Sequence, residues 1–178
     1  MPNLAASGAD GVGLFRTELQ FMVSATMPRL ERQIQMYREI VVEAKGKPVV
    51  FRTLDVGGDK ALPYLRQPSE GNPALGWRAI RLALDRPGLL RTQVRALLSA
   101  AAERLDAGGS PIVEIMIPLI VNRQELELVR SWVEDEIAID VAAQQQLGRR
   151  QRARVAVGAR VEAGDVPERG AIDGDGVD

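Results

Sequence analysis

The chain has 178 residues, 46% of them apolar and 26% charged, which suffices for the buried core of one domain and is too apolar for wholesale disorder. Acids outnumber bases 24 to 23, so the overall balance favours neither nucleic acid nor an anionic membrane as partner. The absence of Cys and His excludes disulfides, thiolate or imidazole metal sites, Ser-His-Asp triads, Cys nucleophiles and a phosphohistidine carried on this chain.

In chain order, the first ten residues lack a basic stretch followed by an apolar one, so no secretory leader is expected and the cytoplasm is the expected location. Gly11 to Phe15 form a short apolar run that reads as a buried strand. Leu30, Ile34, Tyr37, Val41 and Ala44 recur at three- and four-residue spacing and predict a helix over 29–44, with Pro28 in its first turn and Gly46 just past its end. Residues 48–54 are β-branched and short, and predict a second strand. A Gly- and Pro-rich loop over 56–78 follows, and a loop of that length in a compact domain is usually functional or disordered. Leu90, Val94, Leu97, Ala101 and Leu105 predict a second helix that Gly108 and Gly109 stop. Residues 112–120 are almost continuously apolar, as expected of a strand buried on both faces. Asn122 and Glu125 have capping-box spacing for a third helix with Leu126, Val129, Val133 and Ile137 on its core face. Residues 155–159 make a candidate fourth strand. Strands alternating with helices argue for an α/β fold with a parallel sheet. No run nears ~18 apolar residues, so no membrane span is expected.

Arg16 and Arg52 stand at the C-terminal ends of two predicted strands, where parallel β/α folds bind ligands. Each is followed by Thr and then by an acid, Glu18 or Asp55. Converging guanidinium groups there suit a carboxylate or phosphate ligand; the plainer alternative is a strand-end salt bridge with the neighbouring acid. Val56 to Lys60 carry one acid and one Lys in a Gly-flanked turn without P-loop spacing, and an ordinary turn is the simpler reading. Arg78 lies in the long loop beside Trp77, a residue that at such a place more often anchors packing than stacks on a ligand. Glu114 and Glu162 fall in apolar segments, where a lone acid serves either a hard cation or, more commonly, a salt bridge. Twenty of the 23 bases are Arg, which reflects either a coding bias or a need for planar anion-binding forks. Spacing alone leads to a parallel α/β domain with a candidate anion site.

Three segments carry more. Gly8-Ala-Asp-Gly-Val-Gly-Leu-Phe-Arg-Thr-Glu18, Phe51-Arg-Thr-Leu-Asp-Val-Gly-Gly-Asp-Lys-Ala-Leu-Pro-Tyr64 and Asn72-Pro-Ala-Leu-Gly-Trp-Arg-Ala-Ile-Arg81 resemble, in order and spacing, three motifs of the phosphoenolpyruvate-utilising family. The likeness runs from about Gly8 to Ile137 and is nearest to the branch containing enzyme I of the bacterial phosphotransferase system and its nitrogen-related paralogue. That resemblance implies a phosphoenolpyruvate-binding (β/α)8 TIM barrel, here partial with about four strands. It assigns Arg16, Arg52 and Arg78 to the phosphate and carboxylate of phosphoenolpyruvate, and Lys60 to the phosphoryl group. It also implies Mg²⁺, with Glu162 as ligand; Val157-Gly-Ala-Arg-Val-Glu162 matches that motif only in part, because Arg160 replaces Met and the following Pro is not in place.

In such enzymes the phosphoryl group passes to an enzyme His and on to a His-containing phosphocarrier protein, through a part of the enzyme N-terminal to the barrel, and the complete enzyme is a homodimer. With no His and no Cys, no catalytic residue is expected in this chain, which is expected to be inactive alone. A (β/α)8 barrel takes about 250 residues, so 1–147 reads as a partial barrel. Residues 148–178, Arg-rich and then Gly/Asp-rich, read as a disordered or frameshifted end. The alternatives are a fragment of pyruvate phosphate dikinase or phosphoenolpyruvate synthase, favoured by the segments 113–119 and 125–129, and a catalytically inactive anion-binding remnant.

Overall fold

The computed structural model describes residues 4, 6–57, 62, 64–65, 71–72, 75–109 and 111–146. Their elements, in order, are β1 (Val12–Arg16), α1 (Glu18–Met22), α2 (Leu30–Glu43), β2 (Val49–Arg52), α3 (Ile80–Asp85), α4 (Pro87–Asp106), β3 (Val113–Met116) and α5 (Arg123–Gln146). The strands form a parallel sheet in sequential order β1-β2-β3. Arg16 pairs with Arg52, and Arg52 with Met116.

Alternation along the strands sorts the two faces. Val49, Phe51, Val113 and Ile115 are buried and share one core with Tyr37 and Val41 of α2, Val94 and Leu97 of α4, and Val129 and Val133 of α5. The other face carries Val50, Arg52, Glu114 and Met116, all half-buried. All three long helices thus pack on one side of the sheet. A second cluster joins Phe21, Leu54, Val56, Leu62 and Leu82, with Trp77 packed against it. Trp77 is the packing anchor that its setting predicts, and the Arg86 guanidinium sits 5.1 Å over its ring.

Helix ends follow local chemistry. Pro87 occupies the first turn of α4, and Gly108, at φ 78°, ends it with its N–H on the Leu105 carbonyl at 2.8 Å. Asn122 Oδ1 accepts from Glu125 N–H at 2.8 Å, while Glu125 Oε2 reaches back to Val121 N–H at 2.9 Å.

The structure departs from the sequence reading in several places. Pro28 lies outside α2, which begins at Leu30, and its carbonyl accepts a 2.8 Å hydrogen bond from the buried Gln33 side chain. The apolar run 112–120 is strand only to Met116, because Leu119 turns the chain at φ 63° after Pro118, which has no N–H for a ladder. That strand is buried on one face, not both, since no described helix covers the Glu114 side. Short α1 and α3 are additional to the expected elements. Three strands are present among the described residues, against about four expected; the candidate at 155–159 lies outside them.

Candidate anion-binding site

Parallel register brings the ends of β1 and β2 to the same edge, so two arginines 36 positions apart become neighbours. Glu18, the first residue of α1, is fully buried beneath them. Arg16 Nε donates to Glu18 Oε1 at 2.7 Å, and Arg52 Nη2 donates to the same oxygen. Arg52 Nη1 also lies 3.4 Å from Asp55 Oδ2, and Asp55 Oδ1 accepts from Arg78 Nε at 2.9 Å and Nη2 at 2.8 Å. Side chains from three chain segments therefore form an alternating row, Arg16–Glu18–Arg52–Asp55–Arg78. Three cations face two anions, leaving one positive charge within the row.

Burial pushes the Glu18 carboxyl up, but hydrogen bonds from Arg16, its own backbone N–H and Arg52 outweigh it and hold it below the usual range, ionised at neutral pH. Arg52 and Arg78 keep only 15% and 14% side-chain exposure, whereas Arg16 keeps 42%. Arg52 Nε is buried with no hydrogen-bond partner among the described residues. Arg78 reaches Asp55 because residue 57 is Gly: a Cβ there would lie 2.6 Å from the Arg78 Cβ. The next residue, Ala79, holds φ 50° and ψ −121°, a strained conformation for a residue with a Cβ.

A layer of polar groups supports this row. Thr17 Oγ1 donates to the Arg52 carbonyl at 2.7 Å. Gln93 of α4, 1% exposed, donates through Nε2 to Thr17 Oγ1 at 2.9 Å and to the Tyr37 hydroxyl at 2.8 Å, and its Oε1 accepts from Leu54 N–H at 2.9 Å. Burial pushes the Tyr37 hydroxyl well above the ordinary phenol range, more than the Gln93 bond lowers it, so it stays protonated.

Of the residues singled out from sequence, Arg16, Arg52 and Arg78 come together; Lys60 and Glu162 lie outside the described residues. The salt-bridge alternative is met in an extended form: Arg16 pairs with its neighbour Glu18, and Arg52 bridges Glu18 and Asp55. Glu114 lies beside Val50 on the Arg52 face, two residues before the strand end. The bonding roles of Thr17 and Gln93 escaped the sequence reading. Gln93 had a signal, since it sits three residues after Leu90 and four before Leu97, a polar residue on an apolar stripe. Among the described residues no three Asp or Glu gather as a metal site, and Glu18 and Asp55 already accept from guanidinium groups. These residues therefore do not fit Mg²⁺.

Comparison with known proteins decides the family. The family described as PEP-utilising enzyme, PEP-binding domain, matches residues 2–166. The chain belongs to that family. It is 45% identical over 138 residues to a phosphoenolpyruvate-protein phosphotransferase of Staphylococcus carnosus, covering 78% of this chain and 23% of the relative. A phosphoenolpyruvate-protein phosphotransferase of Latilactobacillus sakei is 45% identical over 139 residues, with 78% and 23% coverage. Multiphosphoryl transfer protein 1 of Escherichia coli is 38% identical over 165 residues, 93% of this chain and 18% of the relative. The chain thus spans less than a quarter of these relatives' lengths. No helix among the described residues is long and apolar enough to cross a membrane.

Proposed function

We propose that the row at the strand ends binds phosphoenolpyruvate, with Arg16, Arg52 and Arg78 as its anion receptors and Lys60 beside the phosphoryl group. The observation that carries this reading is the convergence of three guanidinium groups from separate segments at the C-terminal edge of a parallel sheet, with one positive charge in excess among the five described residues of the row. Phosphate and carboxylate each accept two parallel N–H bonds from such a fork. Glu18 and Asp55 hold the guanidinium planes before the ligand arrives, so less side-chain freedom is lost on binding.

Sequential parallel strands with helices on one face agree with a sector of a (β/α)8 barrel, and we assign residues 1–147 to such a sector, followed by the Arg-rich and then Gly/Asp-rich end 148–178. In the complete protein the ligand would donate its phosphoryl group to an enzyme His and then to a phosphocarrier protein, as a cytoplasmic homodimer, with Mg²⁺ held through Glu162. Phosphoryl transfer depends on positioning and charge neutralisation, which is what arginines supply. The 178-residue chain, without His or Cys, would bind but not turn over, and pyruvate release above background would refute that.

Calorimetric titration of the full chain with phosphoenolpyruvate tests the reading. Saturable 1:1 binding is expected, weakened about tenfold by Arg52→Lys, which keeps the charge and removes the fork. Equal affinity in the two proteins would overturn it.

A further inference from the structure

A carboxamide from α4 ties together the two chain segments that leave the sheet at the proposed site. Gln93 makes no hydrogen bond to any of the three arginines, yet it donates to Thr17, the residue after Arg16, and accepts from Leu54 N–H, two residues after Arg52. Thr17 closes the loop by donating its hydroxyl to the Arg52 carbonyl. The ladder between β1 and β2 ends at the Arg16–Arg52 pair. Beyond that pair these side-chain bonds link the two exits, and α1, which carries Glu18, starts immediately afterwards.

We propose that Gln93 is a positioning residue that sets the spacing of Arg16 and Arg52 for a ligand spanning both; this rests on the reading of the row as the phosphoenolpyruvate site. Only Gln meets the demand. The position needs two N–H donors, for Thr17 and Tyr37, and one acceptor, for Leu54. Glu lacks the donors, Leu lacks both kinds of group, and Asn is one methylene shorter. The same carboxamide anchors α4 through Tyr37 of α2, so the spacing is referred to the rigid helical layer rather than to the loops.

The test separates spacing from stability by comparing two ligands. Phosphoenolpyruvate presents carboxylate and phosphate to separate guanidinium groups, whereas inorganic phosphate can be held by one. Both affinities are measured on the full chain and on Gln93→Leu, at a temperature well below the melting point of each. Gln93→Leu should lower the phosphoenolpyruvate affinity about three- to tenfold relative to the inorganic phosphate affinity, the scale of one or two hydrogen bonds. A role in folding alone would lower both equally and leave their ratio unchanged, which would overturn the proposal. If Gln93→Leu does not fold, Thr17→Val and Thr17→Ser decide: the ratio must fall in the first and be restored in the second. Arg52→Ala serves as control. A loss in Arg52→Ala with an unchanged ratio in Gln93→Leu or Thr17→Val defeats this proposal alone. Absence of saturable phosphoenolpyruvate binding by the unsubstituted chain defeats it together with the reading it rests on.

Discussion

Glu18 and Glu136 are both fully buried carboxylates held by two arginines, and both are kept below the usual carboxyl range because guanidinium bonds outweigh burial. Their surroundings differ. Glu136 lies between α5 and α4, where Arg91 Nε donates to Oε1 at 2.7 Å and Arg95 Nε to Oε2 at 2.8 Å. Arg91 and Arg95 are four apart on one helix, and Asp135 stands 3.4 Å from Arg91, so two cations meet two anions. At Glu18 the arginines come from separate strands, and the row continues through Asp55 to Arg78 with a charge left over. A buried acid between arginines is therefore no mark of a site. Convergence of segments at a strand edge, with charge in excess among the described residues of the row, is what the proposed receptor has and the brace lacks.

The comparison breaks most easily at Arg52. Arg52→Ala should weaken phosphoenolpyruvate binding about thirtyfold or more, because it removes the central fork and leaves Glu18 short of a partner. Arg91→Ala should leave calorimetric affinity within about twofold, since that pair lies on the helical side; a loss as large as that of Arg52→Ala would erase the distinction.

Gly57→Ala comes next. The added methyl meets the Arg78 Cβ at 2.6 Å, so Arg78 must move away from Asp55, and affinity should fall about fivefold. An unchanged affinity would take Arg78 out of the receptor.

Acid should act on both regions alike. The folded carboxyls of Glu18 and Glu136 lie below their ordinary value of 4.5, so their contribution to stability is complete above that pH and is lost as the pH falls through the folded values. With no His to titrate near neutrality, the melting temperature should stay level from about pH 7 to about pH 5 and drop below about pH 4.5. Calorimetric melts would show a level profile through pH 4 if neither carboxyl were shifted.

The smallest effect belongs to the brace. Glu136→Gln should lower the melting temperature by about 2–6 °C and make the acid limb shallower, with phosphoenolpyruvate affinity unchanged. A coupled fall in affinity would mean that the α4–α5 seam reaches the strand ends.

Much of the fold was legible because its determinants are local. The spacing of Leu30, Ile34, Tyr37 and Val41 and the Asn122–Glu125 cap place α2 and α5 within a few residues. Arg16 and Arg52 were legible as candidates because each closes an apolar run. Misplaced features depend on surroundings. Met116 ends its strand where Pro118 and Leu119 turn the chain, and burial on one face of β3 reflects which side the helices cover.

By itself the sequence determined the alternation of the long helices with strands, the Asn122–Glu125 and Pro87–Gly108 helix ends and the arginines at the strand termini, since periodicity, caps and apolar runs act over a few residues. Only the tertiary structure decided that Glu18 serves Arg16 and Arg52 together, that Arg78 reaches Asp55 past Gly57, and that Gln93 ties the two strand exits. Apart from Arg16 and Glu18, those partners lie 23 to 76 positions apart. Their meeting follows from the parallel register of Arg16 with Arg52 and the packing of α4 beneath it, which no local pattern along the chain encodes.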